Sequence, residues 1–134
     1  EKTKTANDFD TAMFILKSKL GVLVHINNSR RAVYGYDQRV EIFGSKGMLI
    51  SNNQTPNSIE RFTSTSTNSK EPIHFFFIER YQQAYKDQLN SFIDIIHSNT
   101  KPKVTFEDGR KALIIANAAY ESFEKKKTVD IKYE

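Results

Sequence analysis

The apolar residues of this chain change their spacing once, near Phe77, and that change limits the fold to strands followed by helices. Upstream the spacing is two. From Asp10 to Leu16, the side chains of Ala12, Phe14 and Leu16 fall on one face of an extended segment and those of Thr11, Met13 and Ile15 on the other. Both faces are largely apolar. Lys17 to Gly21 reads as a turn and Gly21 to Asn27 as a second strand with Val22, Val24 and Ile26 aligned, so the pair predicts an antiparallel hairpin. Tyr34 to Phe43 reads as a third strand, Gly44-Ser45-Lys46-Gly47 as a break, and Met48 to Ile50 as a short fourth strand. Ser51 to Ser58, rich in Asn, Gln, Thr and Pro, is a loop; Ile59 to Thr63 predicts another strand before a polar connection from Ser64 to Lys70.

Downstream of Phe77, the residues Tyr81, Tyr85, Leu89, Phe92 and Ile96 recur every three or four positions, which is one apolar stripe of a helix ending near His97. Lys101-Pro102-Lys103 closes it. Thr105 and Asp108 have the spacing of a capping box, with Asp in place of the usual Glu. They open a second helix whose buried stripe is expected at Ala112, Ile115, Ala116, Ala119 and Phe123. Val129 to Lys132 predicts a final strand. Strands gathered before helices are the segregated order of an α+β layer rather than of alternating βαβ units. No internal repeat and no long linker interrupts the order, so residues 1–134 are expected to form a single domain.

Composition removes several function classes. With 38% hydrophobic residues, ten Phe and six Tyr, the 134-residue chain carries enough apolar surface to fold. A net charge of +4, from 20 Lys and Arg interspersed with 16 Asp and Glu, is a poor match to a nucleic-acid partner. The short basic clusters Arg30-Arg31 and Glu124 to Lys127 read as solvated faces. Without cysteine there is no disulfide, thiolate metal site or cysteine nucleophile, and a cytoplasmic protein is expected. No apolar run approaches the ~20 residues that cross a bilayer. The polar start Glu1-Lys2-Thr3-Lys4-Thr5 is not a signal peptide, so no membrane partner is expected.

Chemistry is concentrated in one segment. The three histidines, His25, His74 and His97, are not in metal spacing; Asp94 and His97 share a helical face, but two ligands are too few. His97 at a helix C-terminus is favoured by the helix dipole alone. There is no Gly-x-Ser-x-Gly elbow. Gly44-x-x-Gly47 lacks the glycine density and the strand–turn–helix setting that cradle a pyrophosphate. The segment Asn28 to Phe43, NSRRAVYGYDQRVEIF, places Tyr34 and Tyr36 on one side of an extended backbone, with Asp37, Arg39 and Glu41 following. Phenol, carboxylate and guanidinium groups in such a row can orient hydroxyls and reject epimers that lack one. The same pattern also suits an ordinary sheet edge with charged cross-strand pairs. A single-stranded nucleic-acid platform built on Arg30, Arg31, Tyr34, Tyr36 and Arg39 would lack the core motif of an RNA-recognition strand.

NSRRAVYGYDQRVEIFGSKGML resembles the corresponding stretch of inositol 2-dehydrogenases, within the larger glucose-fructose oxidoreductase and inositol dehydrogenase family. The resemblance continues through DFDTAMFIL upstream and through ERYQQAYKDQLNSFIDII and TFEDGRKALIIANAAYES downstream, which is nearly the whole chain. It implies an α+β fold with a large, mostly antiparallel open sheet and two main helices on one face, forming the C-terminal, substrate-side domain of a two-domain enzyme. The N-terminal Rossmann domain, binding NAD or NADP, has no counterpart here, so no cofactor is expected to bind this chain alone. The resemblance also implies a polyol or sugar substrate and a homo-oligomer, dimer or tetramer, built through the open sheet face.

The family's Glu-Lys-Pro lysine and Asp-x-x-x-His pair are both missing, and Lys70-Glu71-Pro72 has those residue types in the wrong order and setting. No catalytic residue is therefore expected in this chain, which should be inactive by itself. Tyr34 is the residue the resemblance carries over as a substrate-hydroxyl contact, with Tyr36 and Asp37 as neighbours. Gly35 between them lets the backbone bend to aim the rings. The reading from another class is a non-enzymatic sheet-based oligomerisation or binding module.

Overall fold

A computed structural model describes residue 5 and residues 8–133. Of the polar start read over Glu1–Thr5, residues 1–4 lie outside them. In chain order the elements are β1 (Thr11–Lys17), β2 (Leu23–Ser29), β3 (Val40–Gly44), β4 (Gly47–Ser51), β5 (Glu60–Arg61), β6 (Ser69–Lys70), α1 (Phe77–Ser98) and α2 (Phe106–Lys125). Strands precede helices, so the α+β class holds. Among the described residues the strands pair as three two-stranded sheets, β1–β2, β3–β4 and β5–β6. The chain divides into two compact units, one taking the residues up to Ala12 with Asn27–Gln88, the other Met13–Ile26 with Leu89 onward.

The first unit holds β3 to β6. Gly44 pairs with Gly47 across a two-residue turn, and Ile42 faces Leu49 while Phe43 faces Met48. Directly opposed residues share a face, so Val40, Ile42 and Leu49 line one side and Phe43, Met48 and Ile50 the other. Both sides carry exposed apolar residues, Phe43 by 84% and Leu49 by 71%, with Glu41 on the side of Phe43. Glu60 pairs with Lys70 and Arg61 with Ser69, so Ser69–Lys70, expected as loop, is a short strand, while the strand expected over Ile59 to Thr63 shrinks to two residues. A 2.8 Å ion pair between Lys70 and Glu60 reinforces that pairing at the surface.

The expected third strand begins only at Val40, six residues after Tyr34. Tyr34 lies in a turn and Gly35 has φ +133°, a backbone region open essentially to glycine alone. Gly35 is the one buried residue among those described. A Cβ there would stand 2.4 Å from Cγ1 of Ile73 and 3.1 Å from the carbonyl oxygen of His74. The backbone of the 33–36 turn thus lies directly against residues 73–74, and the adjacent Tyr36 N–H donates to His74 O at 2.8 Å.

In the second unit, Ser18 N–H donates to Val22 O and Gly21 N–H to Ser18 O, closing the turn between β1 and β2 with Gly21 at φ +83°. Along β1 the half-buried residues Ala12, Phe14 and Leu16 alternate with exposed Thr11, Met13 and Ile15, the period-two division expected. Helix α2 starts with the expected box: Thr105 N–H donates to Asp108 Oδ2 at 2.8 Å, and Asp108 N–H to Thr105 Oγ1 at 3.4 Å. It ends at Lys126 in the left-handed conformation, φ 50°. Its half-buried positions are Glu107, Arg110, Ile114, Ile115, Ala118, Ala119 and Ser122, so Ile115 and Ala119 hold while the stripe is rotated away from Ala112, Ala116 and Phe123. Val129 to Lys132 is not a strand; it is an irregular tail whose Tyr133 carbonyl accepts from Arg110 Nη2 at 2.6 Å, with Arg110 also braced on Glu107. A backbone satisfied by a side chain does not need a sheet partner.

Helix α1 runs 22 residues and stops at Asn99, φ 50°, before the Lys-Pro-Lys segment is reached. At its start Glu79 Oε2 accepts from the N–H groups of Phe75 and Phe76 at 3.2 and 3.3 Å, satisfying donors that a helix N-terminus otherwise leaves open. Replacing Thr105 by Ala is expected to cost the intact protein about 1 kcal/mol. Gly35→Ala, which adds backbone strain and a clash, should cost about 1–3 kcal/mol or more. Urea denaturation midpoints of the two variants would check the order, with Gly35→Ala the lower.

Candidate functional site

The turn at residues 33–36 decides where the two tyrosines go. They were expected on one side of a strand; instead the positive φ of Gly35 breaks the alternation and each finds its own partners. The Tyr34 hydroxyl donates to Asp37 Oδ2. The Tyr36 ring meets Tyr81 of α1 edge to face, with centroids 5.6 Å apart, and Tyr81 meets Tyr85 in the same way at 6.4 Å. The Arg80 guanidinium lies 5.4 Å from the centre of the Tyr81 ring. Burial first, and then the neighbouring Tyr36 hydroxyl, raise the Tyr81 phenol above its ordinary pKa.

Asp37 is the centre of the polar half of the site. Arg39 grips it from two residues on, Nε to Oδ1 and Nη2 to Oδ2, both at 2.8 Å. Asn53, in the loop after β4, donates its Nδ2 to Oδ1 at 2.7 Å. The orientation of that amide is fixed from its other end, because Asn53 Oδ1 accepts from the backbone N–H of Gln38 at 2.8 Å. The fork of Arg39 is the largest influence on Asp37, followed by the Tyr34 hydroxyl, and together they hold the carboxyl far below the usual carboxylate range. Tyr34 moves the other way: its pKa is raised, chiefly because Asp37 accepts its proton. The Asp37 side chain is only 15% exposed, whereas Tyr34 is 59% exposed and Tyr36 37%. One face of the cluster is anchored and the other is open.

Tyr34, Tyr36 and Asp37 are therefore neighbours, as the sequence led us to expect, but only Tyr34 and Asp37 share a network. Asn53 was not foreseen. It lies sixteen positions from Asp37 in a polar loop, and nothing in its own neighbourhood of sequence distinguishes it from Asn52.

The described residues do not fit a nicotinamide dinucleotide. The Gly44–Gly47 pair forms the turn of the β3–β4 hairpin, with a strand rather than a helix following. Both described helix starts already hold a carboxylate, Glu79 at α1 and Asp108 at α2, where a phosphate would have to bind. The described residues contain no group of three or more His, Cys, Asp or Glu able to hold a metal, and no helix long and apolar enough to cross a membrane.

Residues 1–131 match the family described as "Oxidoreductase family, C-terminal alpha/beta domain". The myo-inositol 2-dehydrogenase of Thermotoga maritima is 41% identical over 132 residues, 98% of this chain and 39% of that protein. The inositol 2-dehydrogenase of Rhizobium meliloti is 41% identical over 94% of this chain and 38% of its own length. Among solved structures, a myo-inositol dehydrogenase from Corynebacterium glutamicum superimposes with a TM-score of 0.90 at 41% identity, covering 98% of this chain and 40% of that one. The chain belongs to this oxidoreductase family, as its C-terminal α/β domain. It spans about two-fifths of the length of the curated relatives it matches.

The depressed pKa of Asp37 gives a pH prediction. Because the folded pKa of Asp37 is depressed, its contribution to stability is fully present above the unfolded carboxylate value of about 4 and is lost only as pH falls through the lower folded value. Carbon-13 NMR of the Asp37 carboxyl should show no inflection between about pH 3 and pH 8. In Arg39→Gln, which removes the strongest influence, an inflection should move up toward the ordinary range.

Proposed function

We propose that the intact protein carrying this chain is a cytoplasmic NAD- or NADP-dependent dehydrogenase that oxidises an inositol or a related polyol. The chain acts as its single substrate-side domain, and the cofactor is held by a separate nucleotide-binding domain. The observation that carries this reading is the 41% identity to a myo-inositol 2-dehydrogenase over 98% of the chain. The polar cluster suits it. Tyr34 and Tyr36 present half-exposed phenols, the kind of group that orients a ring carrying several hydroxyls, and the Asp37 carboxylate holds the Tyr34 hydroxyl in place. The chain itself contributes binding and orientation; the proton-transfer pair and the hydride acceptor belong to the rest of the enzyme.

The same reading includes a homo-oligomer, dimer or tetramer, joined through strand faces. It is supported by the exposed apolar residues of β1 and of both sides of β3–β4, since burying such surface is favourable by roughly 25 cal/mol per Å² before the costs of association. Phe43→Asp is expected to shift the intact protein toward smaller species in analytical ultracentrifugation.

Two assays test the activity. The purified intact protein with myo-inositol and NAD or NADP should produce the reduced nicotinamide, read at its near-ultraviolet absorbance; no turnover of any inositol with either cofactor would overturn the reading. Tyr34→Phe should raise KM for the polyol roughly tenfold, the cost of one lost hydrogen bond in a partly open site, while leaving KM for the cofactor unchanged.

A further inference from the structure

Asp37 accepts four hydrogen bonds, two on each oxygen: Arg39 Nε at 2.8 Å and Asn53 Nδ2 at 2.7 Å on Oδ1, Arg39 Nη2 at 2.8 Å and the Tyr34 hydroxyl on Oδ2. A carboxylate offers about four lone-pair positions, so none remains for a substrate hydroxyl. Asp37 therefore acts on a substrate only through its neighbours. The donors and acceptors around it also run in one fixed order. The Gln38 backbone N–H can only donate, so the Asn53 carbonyl must face it and the Asn53 NH₂ must face Asp37. Arg39, with five donors and no acceptor, fixes the same polarity from the other side. The one group that must supply a proton to the remaining lone pair is Tyr34, and once its proton is given to Asp37 the phenol oxygen has none left to give.

We propose that Tyr34, held by Asp37 with Arg39 and Asn53 as positioning residues, is a hydrogen-bond acceptor that selects a donating hydroxyl at one position of the polyol. This rests on the polyol-dehydrogenase reading above and adds the direction of one contact to it. The substrate hydroxyl gives its proton to Tyr34 and keeps its own lone pairs for another donor. A fluorine or a methyl ether at the same ring position accepts but cannot donate, so the phenol oxygen loses the substrate's hydrogen bond. The raised pKa of Tyr34 agrees with a phenol whose proton is held by a carboxylate, and its 59% exposure leaves it open to a ligand.

Asp37→Asn reverses the direction. An amide has one oxygen; on the Oδ1 side, where Arg39 Nε and Asn53 Nδ2 both donate, it leaves the new NH₂ facing Tyr34, and Arg39 Nη2 gives up its acceptor. The phenol then accepts from within the protein and points its proton at the substrate. A purely structural role for Asp37 would lower activity toward all substrates alike; the change of direction alters the ranking of analogues.

The experiment measures kcat/KM of the intact enzyme for myo-inositol and for its monofluoro-deoxy and mono-O-methyl analogues at each ring position other than the one oxidised. The parent is expected to lose about tenfold or more at one position for both analogues. Tyr34→Phe should abolish that position's penalty. Asp37→Asn should shrink it or reverse it, and Asn53→Ala should weaken it with an effect on KM rather than on kcat.

If Tyr34→Phe raises KM but the fluoro and methyl penalties are the same in the parent, Asp37→Asn and Asn53→Ala, the polarity is not set by this network and the proposal falls while the polyol site stands. If Tyr34→Phe changes neither KM nor the ranking, Tyr34 does not touch the substrate and the proposal falls with it. A parent that neither turns over nor binds any polyol by calorimetry overturns the functional reading itself. Should Asp37→Asn fail to fold by circular dichroism, Tyr34→Phe and Asn53→Ala, which remove a single polar group each from exposed or loop positions, still decide the outcome.

Discussion

The close approach of Gly35 to Ile73 and His74 is the contact on which the site depends. Only a residue without a Cβ fits there, and only one tolerant of φ +133° can make the turn. The turn ends the period-two alternation at Tyr34 and directs its hydroxyl back to Asp37. The neighbouring bond from Tyr36 N–H to His74 O fixes the chain just before the network begins. His74 N–H in turn donates to Gln54 O at 3.1 Å, so the loop that carries Asn53 is tied through one residue to the segment that carries the tyrosines. Short-range sterics at one glycine thereby bring residues 34, 37, 39 and 53 within hydrogen-bonding reach of each other.

The network that results is closed on the protein side. Each oxygen of Asp37 is used twice, the Asn53 amide is used at both ends, and Arg39 spends its fork on a carboxylate two residues away. Such a cluster holds its geometry better than single contacts would, because moving any member leaves a partly buried carboxylate short of partners. Its open side is the phenol of Tyr34. Rigidity is thereby concentrated around the Asp37 carboxylate, while Tyr34 stays exposed.

The rest of the chain is suited to being part of something larger. No hydrophobic residue among those described is buried, and the β3–β4 hairpin is apolar on both sides. A two-stranded ribbon with two apolar faces has no stable existence in water without cover on each. The chain itself spans 39% of the length of the Thermotoga maritima relative.

Much of the secondary structure could be read from the sequence. The alternation along β1, the hairpin turns at Gly21 and Gly44–Gly47, and the capping box of α2 are all local, decided by residues within four positions of one another. The errors came where a distant partner intervened. Tyr34 to Arg39 has the composition of a strand but is bent by the contact with Ile73, Ser69–Lys70 is drawn into pairing by Glu60, and the C-terminal tail is held by Arg110 rather than by a sheet. The same distinction separates the site residues: Tyr34, Tyr36 and Asp37 stand out by crowding within four positions, while Asn53 enters only when the loop after β4 folds back across sixteen. By itself the sequence determined that strands precede helices, the capping box that opens α2 and the family, because periodicity, capping and identity are properties of neighbouring residues. Only the tertiary structure decided which way the hydrogen bonds of Tyr34 run, because a donor acquires its direction from the acceptors that folding places around it.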